Sequence, residues 1–383
     1  NKLKELFNDK NHNNNFVKIV EGYSFVKMLD NISNEIWDNK KKYEEIKDQF
    51  VMKGFLTNPL NSKDQIKEVL IDKIKIKNSA TKPMIIPCKT KENKVINILH
   101  KSEDVRKDQV VMNIIRLMDI ILKKEGKIDC GVPTYDILPT GKASGLIEII
   151  PGADTIYYIK EKLGTSITNY IFEKNGDKRV SDVRNSYINS TAAYCVITYL
   201  LGIGDRHLNN MMITESGKLF HIDYGYVLGK DPITSNPGIR LIPEMIEAMG
   251  GLSSINYQTF VEKCTSIYNC VRRYLPIFMH LLHILPEISD LQMSKEDIDK
   301  LLIKRFIPGE NTFDASNHLI MELEKQDYVY TVKDWMHYHA QEQTVSSAVG
   351  RLTYALTKIV TYTAPAQEES QSMRKTKIQK DKN

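Results

Sequence analysis

Between Ile203 and Gly229 the chain reads Ile-Gly-Asp-Arg-His-Leu-Asn-Asn-Met-Met-Ile-Thr-Glu-Ser-Gly-Lys-Leu-Phe-His-Ile-Asp-Tyr-Gly-Tyr-Val-Leu-Gly, and no other stretch restricts the fold as tightly. Met211 to Thr214 and Lys218 to Ile222 are short apolar runs separated by Glu215-Ser216-Gly217. The glycine can take φ > 0, so the pair predicts an antiparallel hairpin. Closing the ladder is expected to set Asn210 and Asp223 about 5 Å apart across its open end. A carboxamide oxygen beside a carboxylate makes a small set of hard ligands. With room for water and substrate phosphates, that set suits Mg²⁺.

Asp205 and His207 lie on the loop entering the hairpin, so a proton acceptor stands next to the expected metal. Phosphoryl transfer uses such a layout, because the protein mainly positions the nucleotide, neutralises charge and orients the attacking hydroxyl. Taken singly, Asp205 capping a turn and Asp223 ending a strand are the plainer alternatives. Gly204-Asp-Arg-His-x-x-Asn210 followed by His221-Ile-Asp-Tyr-Gly225 resembles the catalytic and activation loops of phosphatidylinositol 3- and 4-kinases and their protein-kinase relatives. Within that group, Ala193 to Gly204 and Tyr226-Val-Leu-Gly-Lys-Asp-Pro232 look most like the class III phosphatidylinositol 3-kinases.

The resemblance implies an α+β, two-lobed protein-kinase-like fold: helices at 1–55, a small β-rich N-lobe at 56–150, and a larger, mostly helical C-lobe at 151–362. It also implies ATP and Mg²⁺, with Mn²⁺ as an alternative, and metal ligation by Asn210 and Asp223. Asp205 or His207 is expected to act as base, with Arg206 beside them. Lys230 and Arg240 are the activation-segment cations that would face the lipid. Tyr224 replaces the family's usual phenylalanine.

Length and composition fit this frame. A chain of 383 residues predicts two or three folded units at ~100–200 residues each. Its 42% hydrophobic and 26% charged content is that of an ordinary globular protein. The net charge of +5 argues against a nucleic-acid partner and permits modest attraction to anionic membranes. Five scattered cysteines, Cys88, Cys130, Cys195, Cys264 and Cys270, suggest free thiols in a reducing compartment. The chain begins at Asn1 and has neither a leader-like start nor an apolar run near 18 residues, so it is expected to be a cytoplasmic piece of something longer.

Taken in order, Phe16, Ile19, Tyr23, Val26 and Leu29 predict one helix, and Ile32, Ile36, Tyr43, Ile46 and Phe50 a second. Lys77 to Pro83 occupies the place of the phosphate-covering loop, where Ser79 and Lys82 could reach phosphate oxygens. Val95 to Gln109 resembles the family strand that carries the ATP-binding lysine, its Asp-Asp-Leu-Arg-Gln-Asp turn and the following helix. Counting back from Asp104 and Arg106 without a gap puts His100 where the lysine belongs and Lys101 one residue on. Neighbours on a strand face opposite ways, so only a shortened turn or a bulge lets Lys101 serve. Asp108 is the natural acidic partner for that cation. Gly145 to Pro151 resembles the hinge, with adenine held by backbone atoms of Glu148 and Ile150, and Tyr135 matches a tyrosine of the inner nucleotide pocket.

The helices through Phe260, Cys264, Ile267, Val271 and Tyr274, then Leu281 and Leu285, read as core. Arg305 to Glu310 and Asp334 to Ala340 fit the family poorly. Residues 344–362 form an apolar helical stripe that either packs or touches membrane, and the polar basic tail 363–383 is expected to be disordered. The expected activity is phosphorylation of the phosphatidylinositol 3-hydroxyl at endosomal or other internal membranes, with a regulatory subunit engaged through N-terminal regions. The rival readings are a phosphatidylinositol 4-kinase, a related large protein kinase, and a pseudokinase or scaffold in which His100 has displaced the lysine.

Overall fold

A computed structural model describes residues 10–38, 45, 54–77, 81–176, 179–231 and 238–325. The predicted stripe at 344–362, the tail, Ser79 and the stretch 334–340 lie outside the described residues. Through Leu323 the described residues belong to one compact unit; a second unit carries residues 233–237 and 324–383, of which Glu324 and Lys325 are described.

The first element is a helix, α1, Lys10–Asp38. It runs unbroken through Ile32 and Ile36, so these two residues belong to the first helix and not to the expected second one, whose Tyr43, Ile46 and Phe50 lie outside the described residues. Nothing between Leu29 and Ile36 breaks a helix, and Phe25, Leu29, Ile32 and Ile36 recur at spacings of four, three and four on one buried face. Ile19 and Tyr23, expected on that face, are exposed. The helix first meets the sheet at Glu21, whose carboxylate accepts the Thr57 hydroxyl at 2.6 Å, and at Gly22, packed against Pro59.

A seven-stranded antiparallel sheet follows: β1 Leu56–Thr57, β2 Gln65–Val69, β3 Lys75–Ile76, β4 Met84–Thr90, β5 Val95–Lys101, β6 Ile137–Pro139 and β7 Gly145–Ile149. Its order is β1-β2-β4-β5-β7-β6, with β3 also pairing β4. Strand alternation assigns its two faces. Ile86, Ile98 and Leu146 pack on α1, each buried side chain contributing about 1.5–3 kcal/mol. Leu99, Ile137 and Ile147 join the opposite core with helix α2, Arg106–Lys124, through Val111, Ile115 and Met118.

Beyond Pro151 the chain is mainly helical. β8 Ala153–Thr155 leads to α3 Ile167–Asn175 and α4 Val180–Leu201, which is buried almost throughout from Ser190 to Leu201. The hairpin follows as β9 Met211–Thr214 and β10 Leu219–His221, in a three-stranded sheet of order β10-β9-β8. Gly217 sits at φ +82 in its turn, as the sequence required. Further α-helices among the described residues are α5 Pro243–Ala248, α6 Ile255–Val271, α7 Leu275–Leu282, α8 Leu285–Ile288, α9 Lys295–Phe306 and α10 Thr312–Glu324. Phe260, Cys264, Ile267 and Leu285 are core, and all five cysteines are buried and unbridged.

Arg305, in the stretch that fits the family poorly, stacks on the Tyr199 ring and donates to the Tyr199 carbonyl. Arg272 likewise donates to the carbonyls of Ile307 and Glu310. This unusual stretch fastens the end of α9 to α4 and α6. Among the described residues no helix is long and apolar enough to cross a membrane.

Candidate active site

The loop after α4 is built by close approach. Gly202, at φ +62, caps the helix, and a Cβ there would stand 2.5 Å from the Gly229 amide nitrogen. A Cβ on Gly204 would meet Asp231 Oδ2 at 2.4 Å. Both glycines let the segment 226–231 run alongside, bonded from Gly204 N to Tyr226 O at 3.0 Å and from Gly229 N to Gly202 O at 2.9 Å. Asp231 then accepts the Asp205 N–H at 2.7 Å and holds Asp205 at φ +54, a conformation unfavourable for a residue with a Cβ.

His207 is buried, with Nε2 3.8 Å from Asp205 Oδ2 and Nδ1 accepting the Asn209 N–H at 3.2 Å. Arg206 is buried too. It donates to the carbonyls of Gly204, Ile222 and Asp223 and lies over the Tyr224 ring, so it braces the two loops against each other.

The ladder register differs from the expected one. Met211 pairs with His221 and Ile222 N–H donates to Asn210 O, so Ile222 stands opposite Asn210 and Asp223 comes one residue later. The register is set at the turn, where Thr214 N–H donates to Lys218 O at 2.9 Å, and past the ladder the Ile222 and Asp223 carbonyls are taken by Arg206. Asn210 Nδ2 donates to the Asp205 carbonyl at 3.0 Å, which leaves Oδ1 as the amide atom for a cation. Asp223, at φ +61, is half-exposed to the cleft, and its Oδ1 accepts the Gly225 N–H at 3.2 Å. One amide oxygen and one accessible carboxylate fit Mg²⁺ that keeps waters and phosphate ligands.

β5 separates the two candidate cations. His100 lies on the α1 face, buried, its Nε2 3.1 Å from Asp30. It is therefore no cleft residue, contrary to its inclusion among the nucleotide contacts. Lys101 faces the cleft, 2.5 Å from Glu103 and 3.9 Å from Asp223. Burial alone would lower the Lys101 pKa, but the carboxylates of Asp223, Asp108 and Glu103 overturn this and raise it, so the ammonium stays charged. Asp108 is buried and accepts the Tyr224 N–H at 2.8 Å. Desolvation first, then Asp223, push its carboxyl up to about 6 against the opposing pull of Lys101. Lys101, Glu103, Asp104, Lys107, Asp108, Asp223, Gly225 and Asp290 line a cleft of about 410 Å³.

Lys77, at the base of the loop expected to cover phosphates, still reaches solvent, yet partial desolvation and the nearby charge of Lys101 hold it below the usual lysine range. At the hinge, Asp136 N–H donates to Glu148 Oε2 at 2.9 Å and not to the Glu148 carbonyl, while Glu148 N–H goes to Asp136 O at 2.8 Å. Ile150 is partly buried against the core. Tyr135 is buried and edge-on to Phe220, and the Tyr224 hydroxyl donates to the His221 carbonyl at 2.9 Å. Of the two activation-segment cations, Lys230 is exposed and Arg240 is buried, so Arg240 is better placed to pack the segment than to meet a lipid.

Four residues at the site escaped the sequence reading. Glu103 lies just before α2 and Lys107 on its first turn, in a stretch whose motif points only to Asp104, Arg106 and Asp108. Asp231 follows Lys230 in a loop where no spacing pairs it with Asp205, and Asp290 lies 67 positions from Asp223 with no motif around it.

A curled antiparallel sheet above a helical body, with a lysine of the sheet held over an aspartate that follows a hairpin of the body, places the chain among protein-kinase-like folds. The sequence model of the phosphatidylinositol 3- and 4-kinase family matches residues 96–289, just over half of the chain, and the chain belongs to that family. It is 36% identical over 268 residues to the phosphatidylinositol 3-kinase VPS34 of Saccharomyces cerevisiae, covering 68% of this chain and 30% of that protein. It is 34% identical over 268 residues to the phosphatidylinositol 3-kinase pik3 of Schizosaccharomyces pombe, covering 67% and 33%. With the phosphatidylinositol 3-kinase VPS34 of Candida glabrata it shares 31% identity over 323 residues, covering 80% and 36%. The chain thus spans about a third of the length of these curated relatives.

Proposed function

We propose that this chain is the catalytic part of a lipid kinase that transfers the γ-phosphoryl group of ATP to the 3-hydroxyl of phosphatidylinositol on internal membranes. The observation that carries the reading is Lys101 held 3.9 Å from Asp223 at the end of a hairpin whose entry loop gathers Asp205, His207 and Asn210, together with relatives named phosphatidylinositol 3-kinase. Asn210 Oδ1 and Asp223 would hold Mg²⁺, which would neutralise phosphate charge when bound with ATP. Lys101 supplies a fixed cation to the phosphates, and Lys77 a second. The Glu148 carbonyl and the Ile150 backbone receive adenine, with Tyr135 behind them.

His207 Nδ1 accepts from Asn209, which places the hydrogen of the neutral ring on Nε2. We therefore assign proton acceptance to Asp205 and orientation of the hydroxyl to His207. Arg206 braces both loops without touching substrate. The small lobe is assigned to 56–150 and the large lobe to 151–362, and a regulatory subunit would bind outside them.

The substrate follows from charge. Between Asp223 and Glu244 the cations are Lys230 and Arg240, opposed by Asp231, and Arg240 is buried. Each phosphate already on the inositol ring would add roughly −1.5 to −2 charge. Side-by-side transfer from labelled ATP to vesicles should favour phosphatidylinositol over its bisphosphate. A preference for the bisphosphate would refute the substrate assignment.

A further inference from the structure

Lys107 and Asp108 are consecutive on the first turn of α2, and they take hold of consecutive residues in the turn that carries Asp223. Asp108 Oδ1 accepts the Tyr224 N–H at 2.8 Å, and Lys107 Nζ donates to the Gly225 carbonyl at 3.0 Å. The same ammonium donates to Asp290 Oδ1 at 2.9 Å, on the loop between α8 and α9. Lys107 is 14% exposed and Asp290 88%, so the cation sits inside, capped from solvent by the carboxylate. The turn has reason to need holding: Asp223 is at φ +61, which a residue with a Cβ visits reluctantly.

We propose that Lys107 is a positioning residue that keeps the Asp223–Gly225 turn in its metal-binding conformation by tying it to α2 and to Asp290. The proposal rests on the reading of Asp223 as a metal ligand. Asp108 accepts from Tyr224 N–H and Lys107 donates to Gly225 C=O, so together they fix one backbone group on each of two successive residues, which a single bond would leave free to pivot. The charge on Lys107 matters because the cleft also holds Glu103, Asp104, Asp108, Asp223 and Asp290. A neutral side chain there would leave Asp290 and Asp223 less compensated.

The test uses the full chain with Lys107→Met, Lys107→Arg and Asp290→Asn. Hydrogen–deuterium exchange is followed across residues 222–228 without metal or nucleotide, and Mn²⁺ is titrated as a paramagnetic probe in the presence of ADP. In Lys107→Met, exchange at 222–228 should rise about tenfold and Mn²⁺ affinity fall about tenfold, with adenosine affinity unchanged. Arg, which keeps the charge and the donors, should restore most of both, and Asp290→Asn should give a smaller change in the same direction. Wild-type exchange and Mn²⁺ affinity in Lys107→Met would overturn the proposal. Faster exchange spread through α4 and α6 would also overturn it, by making Lys107 a general packing residue. A wild-type chain that holds no Mn²⁺ with ADP would sink the phosphoryl-transfer reading and any metal-positioning role with it, even if the 222–228 exchange still responded to Lys107.

Discussion

His100 and Lys101 leave β5 on opposite faces, and they should fail differently when replaced. Lys101→Met removes a charge from the cleft without opening the core, so kcat/KM should fall about a hundredfold with the melting temperature nearly unchanged. His100→Ala breaks a buried pair with Asp30 and leaves a void, so stability should fall by about 2 kcal/mol in urea unfolding while the nucleotide affinity of the folded fraction holds. The reverse pattern would show that His100 serves the nucleotide. Asp223→Asn should lower transfer roughly a thousandfold with little loss of stability, because its side chain is half-exposed and outside the core. At this scale the sequence was legible wherever residues that act together are close along the chain. Asp205, His207, Asn210 and Asp223 could be collected from one stretch, whereas Asp30 with His100 and Lys107 with Asp290 are pairs that only folding brings together.

The hairpin and its two flanking loops behave as one element. His221, on β10, is buried against Tyr194, and its pKa lies well below the usual histidine value, first through burial and then through the charge of Arg206. The folded chain therefore refuses a proton that the unfolded chain accepts below about pH 6.5. Stability is fully present above that pH and should fall as the pH drops through it, by about 1.4 kcal/mol per unit from this residue. His221→Gln should flatten the measured stability curve between pH 6.5 and 5 relative to wild type; an unchanged slope would contradict the burial assigned here. Gly204→Ala should be severe, because its Cβ would stand 2.5 Å from the Lys230 carbonyl and could be accommodated only by parting the two loops. Asp231→Ala should leave the fold and cut kcat at least tenfold, since Asp205 loses the carboxylate that orients it. Turn residues and apolar runs announced this hairpin, but not its register. Past the ladder the Ile222 and Asp223 carbonyls go to Arg206, in bonds that no pairing rule contains.

Across the whole molecule, helix packing on both faces of the small sheet explains why strand alternation carried so much information. One face feeds the α1 core, the other the cleft and α2, and that division decides which of two adjacent residues meets the nucleotide. The two-lobed outline comes from the resemblance carried by the catalytic stretch, while periodicity carries the assignment of single elements. The assignments fail at α1 in its extent, where Ile32 and Ile36 continue the first helix instead of opening a second, because spacing alone does not mark where a helix ends. The central claim is transfer of phosphate to the 3-hydroxyl of phosphatidylinositol, and the most direct measurement is incubation of the chain with γ-labelled ATP, Mg²⁺ and phosphatidylinositol vesicles, followed by chromatographic identification of the labelled product. The account predicts phosphatidylinositol 3-phosphate from wild type and none above background from Asp223→Asn. Label on the 4-hydroxyl, or no transfer by wild type in a chain that binds ATP, would contradict it.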